Sequence, residues 1–173
     1  MQFDQDVNAL PDLYKRAMRS FAGNVSVITV GRGEDRSGLV ATSTVSLSVD
    51  PAMMLVCVNR GASSWPLFER YRHFGVNSLT PDQQAIAERF SGRGGVKGQD
   101  RYALGRWTTA VTGAPLLEDA AVSIDCSIED MIERETHSIL IGRVRAVEIG
   151  DPSAALVYWQ GSYRPLLAES LSV

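Results

Sequence analysis

The chain is 173 residues long, 45% hydrophobic and 21% charged, the balance of one soluble domain with a full core. A net charge of −3 and a pI of about 5.4 exclude a large basic face for nucleic acid. No apolar run approaches the roughly 20 residues needed to cross a bilayer. The opening MQFDQDVNAL lacks the basic start and apolar stretch of a signal peptide. A cytoplasmic protein without membrane or nucleic-acid partners is expected.

Residues 10–22 predict an amphipathic helix, with Leu10, Leu13, Ala17, Met18 and Phe21 on one face and Gly23 ending it. NVSVITVG predicts a strand, and GRGEDRSG the turn back. Strands follow at 38–48 and 53–59, then a short helix in SSWPLFERYR with Pro66 in its first turn, and a strand in HFGVNSL. TPDQQAIAERFSG carries full helix signals: Thr80 at the cap, Pro81 first, Gln83 three after the cap and Gly92 past the end. GRGGVKGQDR reads as a flexible connection, because it lacks the spacing and final Lys-Ser/Thr of a phosphate-cradling loop. Strands are predicted again over 106–112, 120–132, 135–149 and 155–160. Strands dominate with few helix–strand alternations, so the class is mainly β, an antiparallel barrel with a few flanking α-helices. Residues 1–9 and 168–173 are expected to be tails around one domain over 10–167.

Catalytic constellations are mostly absent. Cys57 and Cys126 lie in strand-like apolar patterns and read as buried, inert thiols. His73 and His137 are too few for a histidine-built metal site, and neither C-x-x-C nor H-E-x-x-H occurs. The stretch GLVATSTVSLSVDPAMMLVCVN is more informative. Alternation sends Thr42, Thr44, Ser46 and Ser48 to one face and Val45, Leu47 and Val49 to the other. Inside a small barrel those hydroxyls need partners, and a planar heterocycle with carbonyls and ring nitrogens supplies them; on an outer face they are simply solvated. In NRGASS, Ser63 and Ser64 either cap the following helix or leave its amides to a phosphate. A lone His137 reads as a surface residue on local grounds. Tyr158, Trp159 and Tyr163 form either a core edge or a stacking surface for a flat ligand.

Taken together, AMRSFAGNVSVITV, the stretch from Gly38 to Ser64, FGVNSLTPDQQAIAERFSG, TGAPLLEDAAVSIDCSI, THSILIGRV and VYWQGSYRPL resemble, in order and spacing, the short-chain NAD(P)H:flavin oxidoreductases. These are reductase components of two-component flavin-dependent monooxygenases with an FMN-binding, Greek-key split β-barrel. The resemblance runs from about residue 10 to residue 166. It implies a site in which Ala41, Thr42, Ser43, Thr44, Ser46 and Leu47 lie along the flavin. Cys57, Val58, Asn59, Ser63 and Ser64 continue that site around the ribityl and phosphate groups. Phe90, Ser91, Gly92 and Arg93 approach from the end of their helix, and Tyr163 joins the binding set. His137, with Ser138 beside it, falls near the nicotinamide, although Glu135-Thr136 stands where many relatives have Gly-Asp.

The implied activity is hydride transfer from NADH, or NADPH, to FAD or FMN. Diffusible reduced flavin then serves a separate monooxygenase of aromatic degradation, and the reductase is a homodimer. Because the cofactors carry that chemistry, no acid–base pair or nucleophile is required. Two other readings stay open: the same fold reducing another acceptor such as a corrinoid, or a non-enzymatic flavin-binding barrel.

Overall fold

The computed structural model describes residues 8–151 and 154–168. Most of the expected N-terminal tail, 1–9, and of the C-terminal tail, 168–173, lies outside them. The elements in order are α1 (Leu10–Met18), β1 (Gly23–Asn24), β2 (Ser26–Arg32), β3 (Asp35–Ala41), β4 (Val45–Val49), β5 (Ala52–Asn59), α2 (Trp65–Tyr71) and β6 (His73–Ser78). Then come α3 (Gln84–Phe90), β7 (Trp107–Thr109), β8 (Pro115–Leu117), β9 (Val122–Arg134), β10 (His137–Ile149), β11 (Ala154–Trp159) and β12 (Ser162–Leu167). Among the described residues no helix is long and apolar enough to cross a membrane.

One antiparallel sheet, in the order β3-β2-β6-β9-β10-β5-β4, organises the molecule, and a smaller sheet, β1-β11-β12, stands beside it. The large sheet is strongly curled, for a simple reason of reach. Its two edge strands, β3 and β4, are consecutive in sequence and joined by residues 42–44 alone. Three linking residues span at most ~14 Å from Ala41 to Val45. The two edges therefore approach at this corner, although among the described residues no ladder joins them. Both faces of the sheet are covered. Ile28, Val30, Val56, Val58, Phe74 and Leu140 pack with Trp65 and Phe68 of α2 on one side. Val25, Val27, Leu79 and Leu156 pack with Ile86, Ala87 and Phe90 of α3 on the other.

Several expectations are corrected. The predicted strand over 38–48 breaks at 42–44, and β4 carries a bulge between Ser46 and Ser48. Simple alternation across the stretch therefore fails, and Val45, Leu47 and Val49 are all exposed. The first helix ends at Met18 and buries no residue. The predicted strand 106–112 is only β7, while β8 and β12 are strands that the sequence pattern does not mark. The glycine-rich stretch contains 3-10 turns at Arg93–Gly95 and Gly98–Ala103, the second anchored by buried Arg101 and Tyr102. By contrast, the capping box between Thr80 and Gln83 forms as the sequence indicates, although the first turn, Pro81–Gln83, is a 3-10 turn and α3 itself begins at Gln84. Both cysteines are free, but only Cys126 is buried as expected, Cys57 being half-buried; burial pushes the Cys126 thiol up to about 12.

His73 opens β6 with its ring buried, and the Gly31 amide donates to Nε2 at 3.2 Å. Desolvation holds its pKa below the ordinary 6.5. The unfolded chain thus takes up this proton at higher pH than the folded one. The stability it contributes is complete above about pH 6.5 and is lost as pH falls through the folded value. Thermal unfolding followed from about pH 7.5 to about pH 5 should show this loss, and His73→Gln should flatten the slope. An unchanged slope in the variant would remove His73 as its source.

Candidate active site

The three-residue link is held by side-chain hydroxyls. Ser43 Oγ accepts from the Cys57 amide at 3.2 Å and donates to the Cys57 carbonyl at 3.1 Å. One hydroxyl so ties the end of β3 to β5. Thr44 Oγ1 lies 3.3 Å from Ser26 Oγ. The hydroxyls of this stretch therefore play two different parts. Ser43 and Thr44 are half-buried structural bridges, while Thr42 and Ser46 are exposed. Leu47, also exposed, sits at the bulge of β4.

Beyond Ser43 the site continues onto the end of β5. His137 is the first residue of β10 and lies opposite Asn59, with Ser138 opposite Val58. His137 and Asn59 are exposed, and Val58 and Ser138 are buried. The Thr136 hydroxyl lies 2.9 Å from His137 Nδ1. Glu135 and Thr136 form a two-residue turn between β9 and β10, and Glu135 takes a left-handed φ of 45°. A side chain in that region carries a backbone cost of about 1–2 kcal/mol, which a glycine would avoid.

Asn59 Oδ1 accepts from the Gly61 amide at 2.8 Å, shaping the turn that leads to α2. Ser64 occupies the N-cap position of α2 but makes no side-chain cap bond, so of the two alternatives for this serine capping is not the one formed. Its backbone is already helical there, so the side chain is not placed to reach the first amides. Ser63 before it is exposed. Both Ser64 Oγ and Ser138 Oγ are buried without a protein partner.

The segment after α3 reaches the link from the other side. Phe90 is buried, and its ring presses on Gly38 of β3, where an added Cβ would lie 2.8 Å from Cε1. Phe90 thus contributes packing, and the exposed groups are Ser91 and Arg93. Ser91 Oγ donates to the Glu88 carbonyl at 2.6 Å and accepts from the Arg93 amide at 3.4 Å. Gly92 has a φ of 76°, the left-handed turn that lets the chain leave the helix. Arg101 fixes this arrangement from behind: its Nη1 donates to the carbonyls of Gly38 and Phe90.

A cavity of about 250 Å³ lies where these pieces meet, lined by Val25, Val40, Ala41, Thr42, Ser91, Arg93, Tyr158 and Tyr163. Five residues of the flavin-binding set that the resemblance implies, from three separate segments, converge on it: Ala41, Thr42, Ser91, Arg93 and Tyr163. Tyr158 and Tyr163 pack edge to face at 5.3 Å. Burial raises the Tyr163 pKa, against a lowering by nearby Arg93. A second cavity of about 720 Å³ shares Thr42 and Tyr158 and extends between α1 and the β11–β12 turn. Sequence reasoning assigned α1 no part in a site. Its only signal was an apolar helix face, which the structure leaves without a core to join.

These residues fit a flavin. Exposed hydroxyls of Thr42 and Ser91 and the arginine Arg93 border an open cleft, and the rings of Tyr158 and Tyr163 flank it. A planar, carbonyl-bearing ring with an anionic tail matches that donor set.

A flavin reductase-like domain is matched over residues 18–167 of this chain. The chain belongs to the flavin reductase-like family. The FMN reductase (NADH) RutF of Escherichia coli is 36% identical over 154 residues, covering 89% of this chain and 93% of its own. Among solved structures, BorF, the flavin reductase component of a bacterial two-component tryptophan halogenase, superposes with a TM-score of 0.83. It is 32% identical and covers 92% of this chain and 99% of its own. The NADH:FAD oxidoreductase SgcE6 of Streptomyces globisporus gives a TM-score of 0.81 at 25% identity, covering 97% and 98%. This flavin reductase is an NAD(P)H-dependent flavin oxidoreductase.

Proposed function

We propose that this protein transfers hydride from NADH to FMN or FAD and releases the reduced flavin to a separate flavin-dependent monooxygenase. One observation carries the site assignment: the convergence of Thr42, Ser91, Arg93 and Tyr163 on one cleft, joined through Ser43 to Asn59 and His137. The RutF relative supports FMN and NADH, SgcE6 supports FAD, and BorF supports a two-component system.

Bound flavin supplies the hydride acceptor and NADH the hydride. The protein's part is to hold the two rings. Thr42, Ser46 and Asn59 offer polar contacts along the flavin edge, and Arg93 offers charge to its phosphate. Backbone of the segments containing Ala41, Leu47, Cys57, Val58, Phe90 and Gly92 forms the walls, with Ser63, Ser64 and Ser138 at the phosphate and nicotinamide ends. His137 positions the nicotinamide; Thr136 engages Nδ1, which reserves Nε2 for the ligand.

The domain spans 10–167 as a split barrel whose edges meet at the 42–44 link. A homodimer would cover the exposed apolar residues of β4, Val45, Leu47 and Val49, and sedimentation at micromolar concentration would read it. Its expected place is the cytoplasm, serving aromatic degradation.

The test is a steady-state matrix of FMN and FAD against NADH and NADPH, followed at 340 nm. Oxidation of NADH that saturates with added flavin is expected. No oxidation with either flavin would leave the binding-barrel reading, and turnover with a corrinoid alone would leave the other. Ser46→Ala and Asn59→Ala should each weaken flavin binding by about 0.5–1.5 kcal/mol. Thermal unfolding should stay the same for Ser46→Ala, since the residue is exposed. Flavin titration is the measurement; unchanged affinity in both would make the hydroxyl face merely solvated.

A further inference from the structure

We propose that the cavity between α1 and the β11–β12 turn is a subsite for a 5′-adenosine diphosphate group, the half of a dinucleotide that lies away from the reacting ring. This rests on reading the chain as a flavin reductase. The helix α1 is amphipathic but none of its residues is buried. It is instead fastened by its C-terminal end. The Gln160 amide donates to the Arg19 carbonyl at 3.0 Å, and Trp159 Nε1 donates to the Ser20 carbonyl at 3.4 Å. Held this way, the helix is a wall rather than a packed layer, and the space behind it is about 720 Å³. That size lies within the range of small-molecule sites.

The wall has a particular chemistry. Tyr14, Phe21 and Trp159 line the cavity and are 61%, 67% and 45% exposed, so three aromatic surfaces stand open around it. Arg19 brings a cation to the same space, and Lys15 a second one that also pairs with Asp12 at 3.3 Å. Aromatic plates suit a purine, and cations suit a diphosphate. Continuity decides for a dinucleotide. Thr42 and Tyr158 line both this cavity and the smaller cleft that holds Arg93. A ligand with its reacting ring near the Ser43–His137 tract can therefore continue past Arg93 toward α1. FAD and NADH both carry the same adenosine diphosphate group, and FMN lacks it.

The probe is free 5′-ADP, titrated calorimetrically into the full chain and into Arg19→Ala and Trp159→Ala. Flavin fluorescence gives FMN and FAD affinities of the same proteins. The KM for NADH and for reduced nicotinamide mononucleotide is measured with FMN as acceptor. The wild-type protein should bind 5′-ADP, and each variant should lose roughly tenfold, while FMN affinity is unchanged. A parallel loss for FAD assigns the subsite to the flavin dinucleotide; a raised KM for NADH but not for the mononucleotide assigns it to the nicotinamide dinucleotide. Absence of 5′-ADP binding to a wild-type protein that binds FMN and oxidises NADH would overturn this inference alone. Equal loss of FMN and FAD affinity would also overturn it, by placing the flavin ring in the α1 cavity. Failure of the wild-type protein to oxidise NADH with any flavin would instead remove the functional reading beneath it.

Discussion

His137→Ala is expected to slow the reduction of bound flavin by NADH roughly 10- to 100-fold while leaving flavin affinity intact. The residue begins β10 opposite Asn59, on an exposed strand end, and its Nδ1 faces the Thr136 hydroxyl. No core contact depends on the ring, so the variant should fold with an unchanged thermal midpoint. The loss arises from geometry. Hydride transfer needs reacting atoms about 3–3.5 Å apart, and a misplacement of about 1 Å can cost 10²-fold. Rapid mixing of NADH with the flavin-loaded protein measures the step directly, and flavin titration measures the other half. His137→Asn, which retains a hydrogen-bonding group, should recover part of the rate. A normal reduction rate in His137→Ala would show that nicotinamide positioning lies elsewhere.

Arg101→Met should cost about 2–4 kcal/mol of stability and also weaken flavin binding. The guanidinium is buried, donates to the Gly38 and Phe90 carbonyls, and has no carboxylate partner among the described ion pairs. Methionine fills much of the volume but takes this donor from both carbonyls, at about 1–3 kcal/mol each, partly offset because the buried Nε of Arg101 has no partner to lose. For a chain of this size that corresponds to a fall of about 5–15 °C in Tm. The effect on binding follows from the same bonds. They clamp the end of α3 onto β3, and Ser91 and Arg93 reach the cleft from that end. Arg101→Lys, with one compact donor group, should be intermediate. Stability loss without any change in flavin affinity would show that the clamp and the cleft are independent.

What could be read from the sequence follows how local each determinant is. The helical start at Thr80 was legible because Thr80, Pro81 and Gln83 act on one another within a single turn, the 3-10 turn Pro81–Gln83 that runs into α3. The break at 42–44 was not. TSTVS continues the β-branched, hydroxyl-bearing pattern of a strand, and the interruption is fixed by Ser43 meeting Cys57, 14 residues away. The buried role of Arg101 was hidden likewise, since its partners lie at Gly38 and Phe90 and the residue follows a glycine-rich stretch. Ser64 looked like a cap by position, but helical backbone at that residue turns its hydroxyl away from the role. The α1 face was legible as apolar; that it would stand beside a cavity depended on the hairpin turn at Gln160, far along the chain.

The most direct measurement of the central claim separates the reductase from a flavin-dependent monooxygenase by a dialysis membrane, with NADH and limiting oxygen. The chain's exposed, open cleft implies release, and a micromolar Kd corresponds to only about 8 kcal/mol of binding. Hydroxylated product should form on the oxygenase side, at a rate set by flavin diffusion. Retention of flavin by the reductase through exhaustive dialysis, with no reduction of added flavin and no product across the membrane, would contradict the account.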